Sequence, residues 1–420
     1  MDTWKLTPAD EARRLLLQVP PVRQIERVPL RQAAGRVLAQ ALLAPHDMPP
    51  ERRSAMDGYA GRAADFAAGG PLPVIGAVAA GAPFTGALAA GQVVSIATGA
   101  VVPDGADAVV MVEATAPADG SPEGEGERRY VAPGDRVRIT RPVAAGANLV
   151  QPGEDVKAGA VVLPAGRRLG ARDLSALAAF GVVDVTVVRR PRVATLATGS
   201  EVCAVTETPR PGQVRDSNQY VLAAEIEAMG AIAVLGGIVG DDYTALHQAV
   251  SRLCAENDAV ILSGGSSVGP KDLTGRVLAA LGAPGIVFHG IDIRPGKPTV
   301  LAMVGDKPVI GMPGYPTSSM VVFEAFVRPL LARLGGESVA DAWPVPGRAR
   351  LAAAYTKPAS REDHLRVRLE RRDDGEVWAV IVPGGSAAIS NVLEADALAR
   401  IPAGIERAEA GAPVDVTRFV

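Results

Sequence analysis

Cysteine and histidine are scarce in this chain of 420 residues. The two cysteines, Cys203 and Cys254, provide neither a disulfide framework nor a CxxC pair, and the 4 histidines form no HExxH pattern. A zinc site is therefore not expected. Any bound metal must be held by carboxylates, and this favours Mg²⁺.

A surplus of one charge and long apolar runs are also missing. The formal net charge is -3, and no basic block stands out, so we expect no nucleic-acid partner. Gly, Pro or charged residues interrupt every apolar stretch well before the roughly 18 residues that a membrane span needs. The N-terminal residues 1–5 (MDTWK) contain no signal-peptide core. We expect a cytoplasmic protein with no membrane partner.

The pattern of apolar and turn-forming residues changes along the chain. Residues 1–45 indicate two helices joined by a linker, and short β-like runs broken by Gly and Pro follow. From residue 191 apolar strands alternate with helical spacing, which is typical of a doubly wound parallel α/β sheet. The predicted fold class is a multidomain α/β protein with four parts: a helical and linker domain (1–45 and 141–190), an inserted β domain (46–140), a central α/β domain (191–335) and a C-terminal β domain (336–420).

Loops at the carboxyl ends of the predicted strands carry unusual residues, and ligands of open α/β sheets bind at such ends. The loop TGSE at 198–201 directly follows the strand Arg192–Ala197. Its amides suit a phosphate and Glu201 can reach a metal or a hydroxyl, but the segment also fits an ordinary turn with a capping serine. Asp241 and Asp242 can hold Mg²⁺ or simply cap the helix that begins at Tyr243.

Two further loops suit an anion. SGGSSVG at 263–269 combines close backbone approach with hydroxyl donors, although no Gly-Lys-Ser/Thr follows as in a Walker A motif. It is either an anion cradle or a flexible Gly/Ser loop. In RPGKP at 294–298, Lys297 is one of only 6 lysines against 37 arginines. The turn either presents an ammonium group to an anion or is structural.

Taken together and in order, the motifs resemble the molybdopterin molybdotransferase family, which includes MoeA and the E-domain of gephyrin. The matching segments span nearly the whole chain: SAMDGYA (54–60), ATGAVVPDGADAVVMVE (97–113), GED (153–155), RVATLATGSE (192–201), VRDSN (214–218), DD (241–242), SGGSSVGPKD (263–272), IRPGKP (293–298) and GMPGYPTSS (311–319).

The resemblance implies an elongated four-domain subunit and a homodimer whose active cleft is shared between the α/β domain of one subunit and the β domain of the other. It implies a reaction that uses adenylylated molybdopterin, molybdate and Mg²⁺: the adenylate is cleaved, AMP leaves, and the dithiolene sulfurs take up molybdenum. The adenylyltransferase and the molybdoenzymes that receive the product are the protein partners that it suggests.

The resemblance also assigns roles to individual residues. Those with catalytic roles are Asp57, Thr98, Asp155, Glu201, Asp272 and Lys297. Those placed around the molybdopterin substrate are Thr198, Gly199, Ser200, Ser217, Asn218, Gly264, Gly265, Ser266, Ser267, Arg294, Pro298, Pro313, Pro316 and Ser318. The carboxylates that position Mg²⁺ are Glu201, Asp241, Asp242 and Asp272.

Three motifs depart from the family's common forms. The chain has TGSE where TGDE is common, GGSSVG where GGVSVG is common, and GYP, with Tyr315, where many members have GNP. Two alternatives to molybdate insertion follow: a relative that inserts tungstate, which is an oxyanion of nearly the same size and charge, and a non-catalytic, gephyrin-like scaffold that binds pterin nucleotide. Loss of several acids would favour the scaffold, but Asp57, Asp155, Glu201 and Asp272 are all present.

Overall fold

A computed structural model describes residues 6–119, 130–265, 272–339, 346–373 and 375–419. The chain forms two compact units, one from Ala41–Pro164 and the other from Met1–Gln40 together with Ala165–Val420. Within the described ranges, no helix is long and apolar enough to cross a membrane.

The helices of the described residues are short and concentrate in the larger unit. They are α1 (Ala9–Leu16), α2 (Ala63–Ala68), α3 (Ala171–Ala179), α4 (Asn218–Ala228), α5 (Tyr243–Glu256), α6 (Leu273–Ala280), α7 (Pro316–Val322), α8 (Arg328–Leu334) and α9 (Ser390–Glu394), with a π-helical turn over Phe323–Val327 and 3₁₀ turns at Leu30–Gln32 and Val112–Ala114.

Strands make up most of the remaining regular structure. They are β1 (Ile25–Pro29), β2 (Leu42–Leu43), β3 (Arg53–Ser54), β4 (Gly58–Gly61), β5 (Pro71–Val78), β6 (Val93–Ile96), β7 (Ala108–Met111), β8 (Thr115–Pro117), β9 (Arg136–Ile139), β10 (Leu149–Val150), β11 (Val161–Leu163), β12 (Asp184–Val188), β13 (Arg192–Thr198), β14 (Val202–Cys203), β15 (Val214–Arg215), β16 (Ile232–Val239), β17 (Ala259–Ser263), β18 (Pro284–His289), β19 (Ile293–Arg294), β20 (Val300–Val304), β21 (Lys307–Met312), β22 (Gly347–Leu351), β23 (Tyr355–Thr356), β24 (Glu362–Arg371), β25 (Val377–Ile381), β26 (Ala397–Ile401), β27 (Arg407–Ala408) and β28 (Pro413–Arg418).

The central sheet of the larger unit has six strands in the order β16-β13-β17-β21-β20-β18. The first four strands run parallel, as predicted. β20 is antiparallel to both β21 and β18, so the prediction of an all-parallel sheet is wrong for this edge. The reason is local: Gly305 and Asp306 alone join β20 to β21, and a two-residue connection can only form a hairpin.

Alternate residues of the central strands pack on opposite faces of the sheet. Val193 and Ile261 contact the core that contains α1, α4, α7 and α8, while Leu196 and Val260 contact the core that contains α5 and α6. Burial of each such side chain contributes about 1.5–3 kcal/mol. Helices therefore cover both faces, which confirms the doubly wound α/β class and leaves the carboxyl ends of the strands as the place for a ligand.

The C-terminal strands close into a small barrel. β24, β25, β22, β28 and β26 pair in that order, and β26 pairs again with β24. Leu351, Val367, Ala379 and Ile401 fill its interior. β19 adds a parallel strand to β24, with Ile293 opposite Glu362, so the RPGKP turn begins beside the barrel.

The smaller unit contains a six-stranded sheet in the order β7-β4-β6-β5-β9-β8. Tyr59 and Val93 belong to one of its apolar clusters, and Ala60 and Val94 belong to a second one. The four-domain boundaries expected from the sequence stay a prediction. One element of the N-terminal part is corrected: the second helix expected before residue 45 is replaced by β1, which pairs with β12.

Candidate functional site

The floor of the candidate site is the edge where the central parallel strands end. Asn218, the first residue of α4, donates its side-chain N–H to Ser263 Oγ (3.0 Å) and to the carbonyl of Gly314 (2.9 Å). One buried amide thus connects the start of α4, the end of β17 and the turn before α7. Ser217, beside it, occupies the N-cap position of α4.

Glycines allow the loops at this edge to pack without intervening side chains. Gly264 follows β17 with φ +98°, and a Cβ there would collide with the carbonyl of Thr198. A Cβ on Gly314 would lie 3.3 Å from Gly264 Cα. Only glycine fits these two contacts without displacing backbone, which gives the Gly-rich signal in the sequence a steric reason.

The TGSE and DD loops are joined to each other. Asp241 N–H donates to Ser200 Oγ (3.0 Å), and Ser200 N–H donates to Asp241 Oδ2 (3.2 Å). Gly199 N–H donates to the carbonyl of Val239 at the end of β16 (3.0 Å). Ser200, Glu201 and Asp241 are exposed. The structure therefore brings these predicted residues together on neighbouring strand ends.

Two predicted carboxylates serve as helix caps. Asp242 Oδ1 accepts Ala245 N–H (2.7 Å) at the start of α5, which confirms the capping interpretation for this residue. Asp272 Oδ1 accepts Gly275 N–H (2.9 Å) at the start of α6, and its Oδ2 lies 3.1 Å from His289 Nε2. Asp272 is buried and directly precedes α6. The metal-binding roles of both residues stay predictions.

Carboxylates of this edge do not form a complete metal cage among the described residues. No group of three or more His, Cys, Asp and Glu side chains in that part of the chain is arranged to hold an ion. Mg²⁺ commonly takes only one or two carboxylates and fills its other positions with water and substrate phosphates. The exposed side chains of Glu201 and Asp241 fit that mode of binding.

The backbone conformation of the RPGKP turn depends on its glycine and not on its lysine. Gly296 has φ +113°, and a Cβ there would lie 2.5 Å from Val322 Cγ2 of α7. Thr299 Oγ1 donates to the carbonyl of Gly296 (2.7 Å). Arg294 and Lys297 are exposed and Pro298 is half-buried. The side chain of Lys297 is therefore free of core packing, as an anion-binding role requires.

The PGYPTSS segment leads into α7. Pro313 and Ser318 are buried, Tyr315 is 61% exposed, and Pro316 is the first helical residue. Thr317 N–H, at the second helical position, donates to the carbonyl of Ser386 (3.3 Å), which belongs to the C-terminal part of the chain. The backbone N–H of Thr317 at the start of α7 therefore already has a hydrogen-bond acceptor.

Predicted residues of the smaller unit form a separate group. Asp57 Oδ1 accepts both the backbone N–H (2.7 Å) and the hydroxyl (2.9 Å) of Thr98, so the structure brings this pair together. Both residues are exposed. Asp155 lies on another turn, where its N–H donates to the carbonyl of Met48 (3.1 Å).

The sequence analysis did not identify the polar network around Gln219, the residue that follows Asn218. Gln219 accepts from Thr195 Oγ1 (3.3 Å), donates to the carbonyl of Gly237 (2.9 Å) and hydrogen-bonds Asp216. Asp216 belongs to the VRDSN motif, so the sequence did draw attention to this residue. Thr195 and Gly237 lie far from the motif in sequence, and only the fold shows that they hydrogen-bond Gln219. Ser266 and Ser267, predicted to bind the substrate, lie outside the described residues.

Family models match nearly the whole chain in sequence order. Residues 7–181 match the MoeA N-terminal region (domain I and II), residues 194–333 match the probable molybdopterin binding domain, and residues 348–419 match the MoeA C-terminal region (domain IV).

Similar proteins and structures cover the chain almost end to end. A molybdopterin molybdenumtransferase of Nostoc sp. is 36% identical over 90% of this chain and 85% of its own length. One from Bacillus subtilis is 32% identical over 97% and 93%. The crystal structure of a molybdopterin biosynthesis moeA protein from Pyrococcus horikoshii OT3 superposes with a TM-score of 0.79 at 30% identity, over 99% of this chain and 100% of that one.

Proposed function

The chain belongs to the molybdopterin molybdenumtransferase family, and we propose from this that it inserts molybdate into adenylylated molybdopterin and releases AMP. Water cleaves the phosphoanhydride bond between the adenylate and the molybdopterin phosphate, which releases AMP, and the two dithiolene sulfurs bind the molybdenum in place of molybdate oxygen, which leaves as water. The family's reaction and the arrangement of the strand ends both support this proposal.

The observation on which the proposal rests is the hydrogen bonding of Asn218 at the edge where the central parallel strands end. Asn218 hydrogen-bonds both the end of β17 and the turn before α7. Gly264 and Gly314 have no side chains, so backbone atoms line this edge at both positions. Such an edge suits a ligand with phosphate groups, because backbone amides at helix and loop starts donate to anions. Thr198, Ser200 and Asn218 are the residues that we propose to hold the pterin phosphate.

Mg²⁺ is part of the proposal. Glu201 and Asp241 would hold it, and when bound it would neutralise charge on the substrate phosphates. The exposed ammonium group of Lys297 would attract molybdate or the phosphoryl group as a compact positive charge. Asp57, whose carboxylate accepts two hydrogen bonds from Thr98, and Asp155 would be further catalytic residues.

A homodimer, a cytoplasmic location and contacts with an adenylyltransferase and with molybdoenzymes also belong to the proposal. Family resemblance supports the dimer, since it implies that one subunit's β domain acts with the other subunit's α/β domain. Sedimentation velocity at micromolar concentration should give a dimer. A monomer at every concentration up to that range would exclude the shared cleft.

One assay tests the function directly. The purified protein is incubated with adenylylated molybdopterin and Mg²⁺, with molybdate, with tungstate or with neither, and AMP release is followed. We expect AMP release that depends on molybdate. Release that depends on tungstate alone would identify the tungstate-inserting relative, and substrate binding without AMP release under any condition would identify the scaffold.

A further inference from the structure

The edge strand β16 contains one residue more than its neighbour β13 over the same stretch. Thr195 pairs with Leu235, but Ala197, two residues further along β13, pairs with Ile238, three residues further along β16. The extra residue is a β-bulge, and bulges are common beside active sites, where they redirect the chain. This bulge lies shortly before the loop that carries Asp241.

Two consecutive glycines form the bulge. A Cβ on Gly236 would lie 2.6 Å from the carbonyl oxygen of Thr195, so a side chain has no space there. Gly237 has φ +88°, a backbone conformation that other residues rarely adopt, although a Cβ there would meet no atom within 4 Å. The bulge therefore requires glycine at the first position for space and at the second for backbone conformation.

The side chain of Gln219 hydrogen-bonds both backbone groups of Gly237. Its Nε2 donates to the carbonyl of Gly237 (2.9 Å), and its Oε1 accepts the Gly237 N–H (3.3 Å). Oε1 also accepts from Thr195 Oγ1 (3.3 Å), and Nε2 also donates to Asp216 Oδ2. Gln219 is buried. A buried amide with all its partners fixes one geometry, so Gln219 stabilises the bulge in this conformation.

The bulge determines which residue meets the TGSE loop. Beyond it, Asp241 N–H donates to Ser200 Oγ (3.0 Å), and Ser200 N–H donates to Asp241 Oδ2 (3.2 Å). Without the extra residue, the register set by Thr195 and Leu235 would place Gly240 opposite Ser200. A shift of one residue also turns each side chain to the opposite face of a strand. Asp241 therefore lies beside Ser200 because β16 contains the bulge.

We propose that Gln219 is a positioning residue, which acts through the Gly237 bulge to keep the carboxylate of Asp241 beside the TGSE loop. The inference rests on the proposed function, in which Asp241 and Glu201 hold Mg²⁺. This ion requires near-ideal octahedral geometry, so the placement of each carboxylate affects its binding. Because Gln219 is buried, it acts through the backbone of β16 and not by contact with the ion.

Two substitutions in the full-length protein test this role. Gln219→Met has a similar length but removes the hydrogen bonds to Gly237. Gly237→Ala strains the bulge through its backbone conformation alone, so it provides the test if Gln219→Met does not fold. In both variants the Mg²⁺ concentration for half-maximal AMP release should rise at least about tenfold, because substitutions of groups that orient metal-binding side chains typically cost about 10–100-fold in metal affinity or activity.

Amide hydrogen exchange gives a second readout that requires neither Mg²⁺ nor turnover. The backbone N–H groups of Ser200 and Asp241 each donate to the side chain of the other residue. If the bulge places Asp241, both N–H groups should exchange faster in Gln219→Met and in Gly237→Ala than in the wild type.

Gly285→Ala is the matched control. Gly285 also has φ +88°, and a Cβ there would make only an ordinary contact, 3.6 Å from the carbonyl oxygen of Gly282. It lies in β18, at the opposite edge of the same sheet. This substitution should lower the Tm as Gly237→Ala does, but it should leave the Mg²⁺ dependence and the exchange of the Ser200 and Asp241 amides unchanged.

The outcomes separate positioning from a purely structural role. An unchanged Mg²⁺ dependence or unchanged amide exchange in Gly237→Ala would make the bulge structural and overturn the proposal, as would equal changes in Gly285→Ala. If the wild type releases no AMP, but the Ser200 and Asp241 amides exchange faster in Gly237→Ala than in Gly285→Ala, the placement of Asp241 by the bulge stands and the proposed function fails.

Discussion

Glu362 should be essential for the stability of the larger unit. Its carboxylate is buried and accepts a hydrogen bond from Arg13 Nη1 of α1 (3.0 Å), while His364 Nε2 lies 2.8 Å from Oε1. Burial by itself would raise the pKa of Glu362, but hydrogen bonds from His364 and Arg13 outweigh it and lower the pKa from 4.5 to about 2. The ion pair joins the first helix, α1, to the barrel strand β24.

The pKa difference gives the magnitude of the effect. A fall from 4.5 to about 2 corresponds to about 3 kcal/mol of folding free energy. Because the pKa is lower in the folded protein, this stability is fully present above pH 4.5 and is lost as the pH falls towards 2. Glu362→Gln should cost about 3–5 kcal/mol at pH 7, since it leaves Arg13 buried without its main counter-charge.

Urea unfolding followed by far-UV circular dichroism measures this loss. Because the slope grows with protein size and is about 3 kcal/mol per molar urea or more for a unit this large, the midpoint should fall by roughly 1 M. Glu370→Gln is the matched control, because Glu370 lies on the same strand and pairs with Arg368 at the surface, so its midpoint should not change. The stability of Glu362→Gln should also fall less steeply than that of the wild type between pH 4.5 and 2. Equal midpoints for the two variants would refute the reasoning.

Substitutions at three further positions test the candidate site. Asp57→Ala removes the acceptor of two hydrogen bonds from Thr98 and should lower molybdate-dependent AMP release at least about tenfold with little change in Tm, because both residues are exposed; full activity would exclude the pair from the site. Asp272→Ala removes the acceptor of the Gly275 N–H and should lower the free energy of unfolding, measured in urea, by about 0.5–2 kcal/mol. Asp272→Asn keeps a capping oxygen and should retain most of the stability. Equal losses in the two variants would exclude the capping role. Lys297→Ala should weaken the molybdate dependence of AMP release without lowering Tm, and Lys297→Arg should rescue it only in part; an unchanged molybdate titration in the alanine variant would make the turn structural.

The sequence alone was sufficient to predict those features that depend on the residues of a single segment. The alternation of strands and helices expected from residue 191 onward appears in the structure, for example as α4 and β17. The glycines of SGGSSVG pointed to close backbone approach, and the structure shows it at Gly264. Such features depend on residue spacing and backbone sterics, which a single segment contains in full.

Tertiary structure decided what depends on distant partners. Ile25–Pro29 is a strand because β12, far along the chain, pairs with it, and no signal within the segment states that partner. The hydrogen bonds between Gln219 and Gly237 and the pairing of Arg13 with Glu362 likewise join segments that are separated in sequence. A side chain's burial, hydrogen bonds and pKa are set by neighbours that only folding brings into contact, so the chemistry of these positions follows from the fold rather than from their sequence motifs.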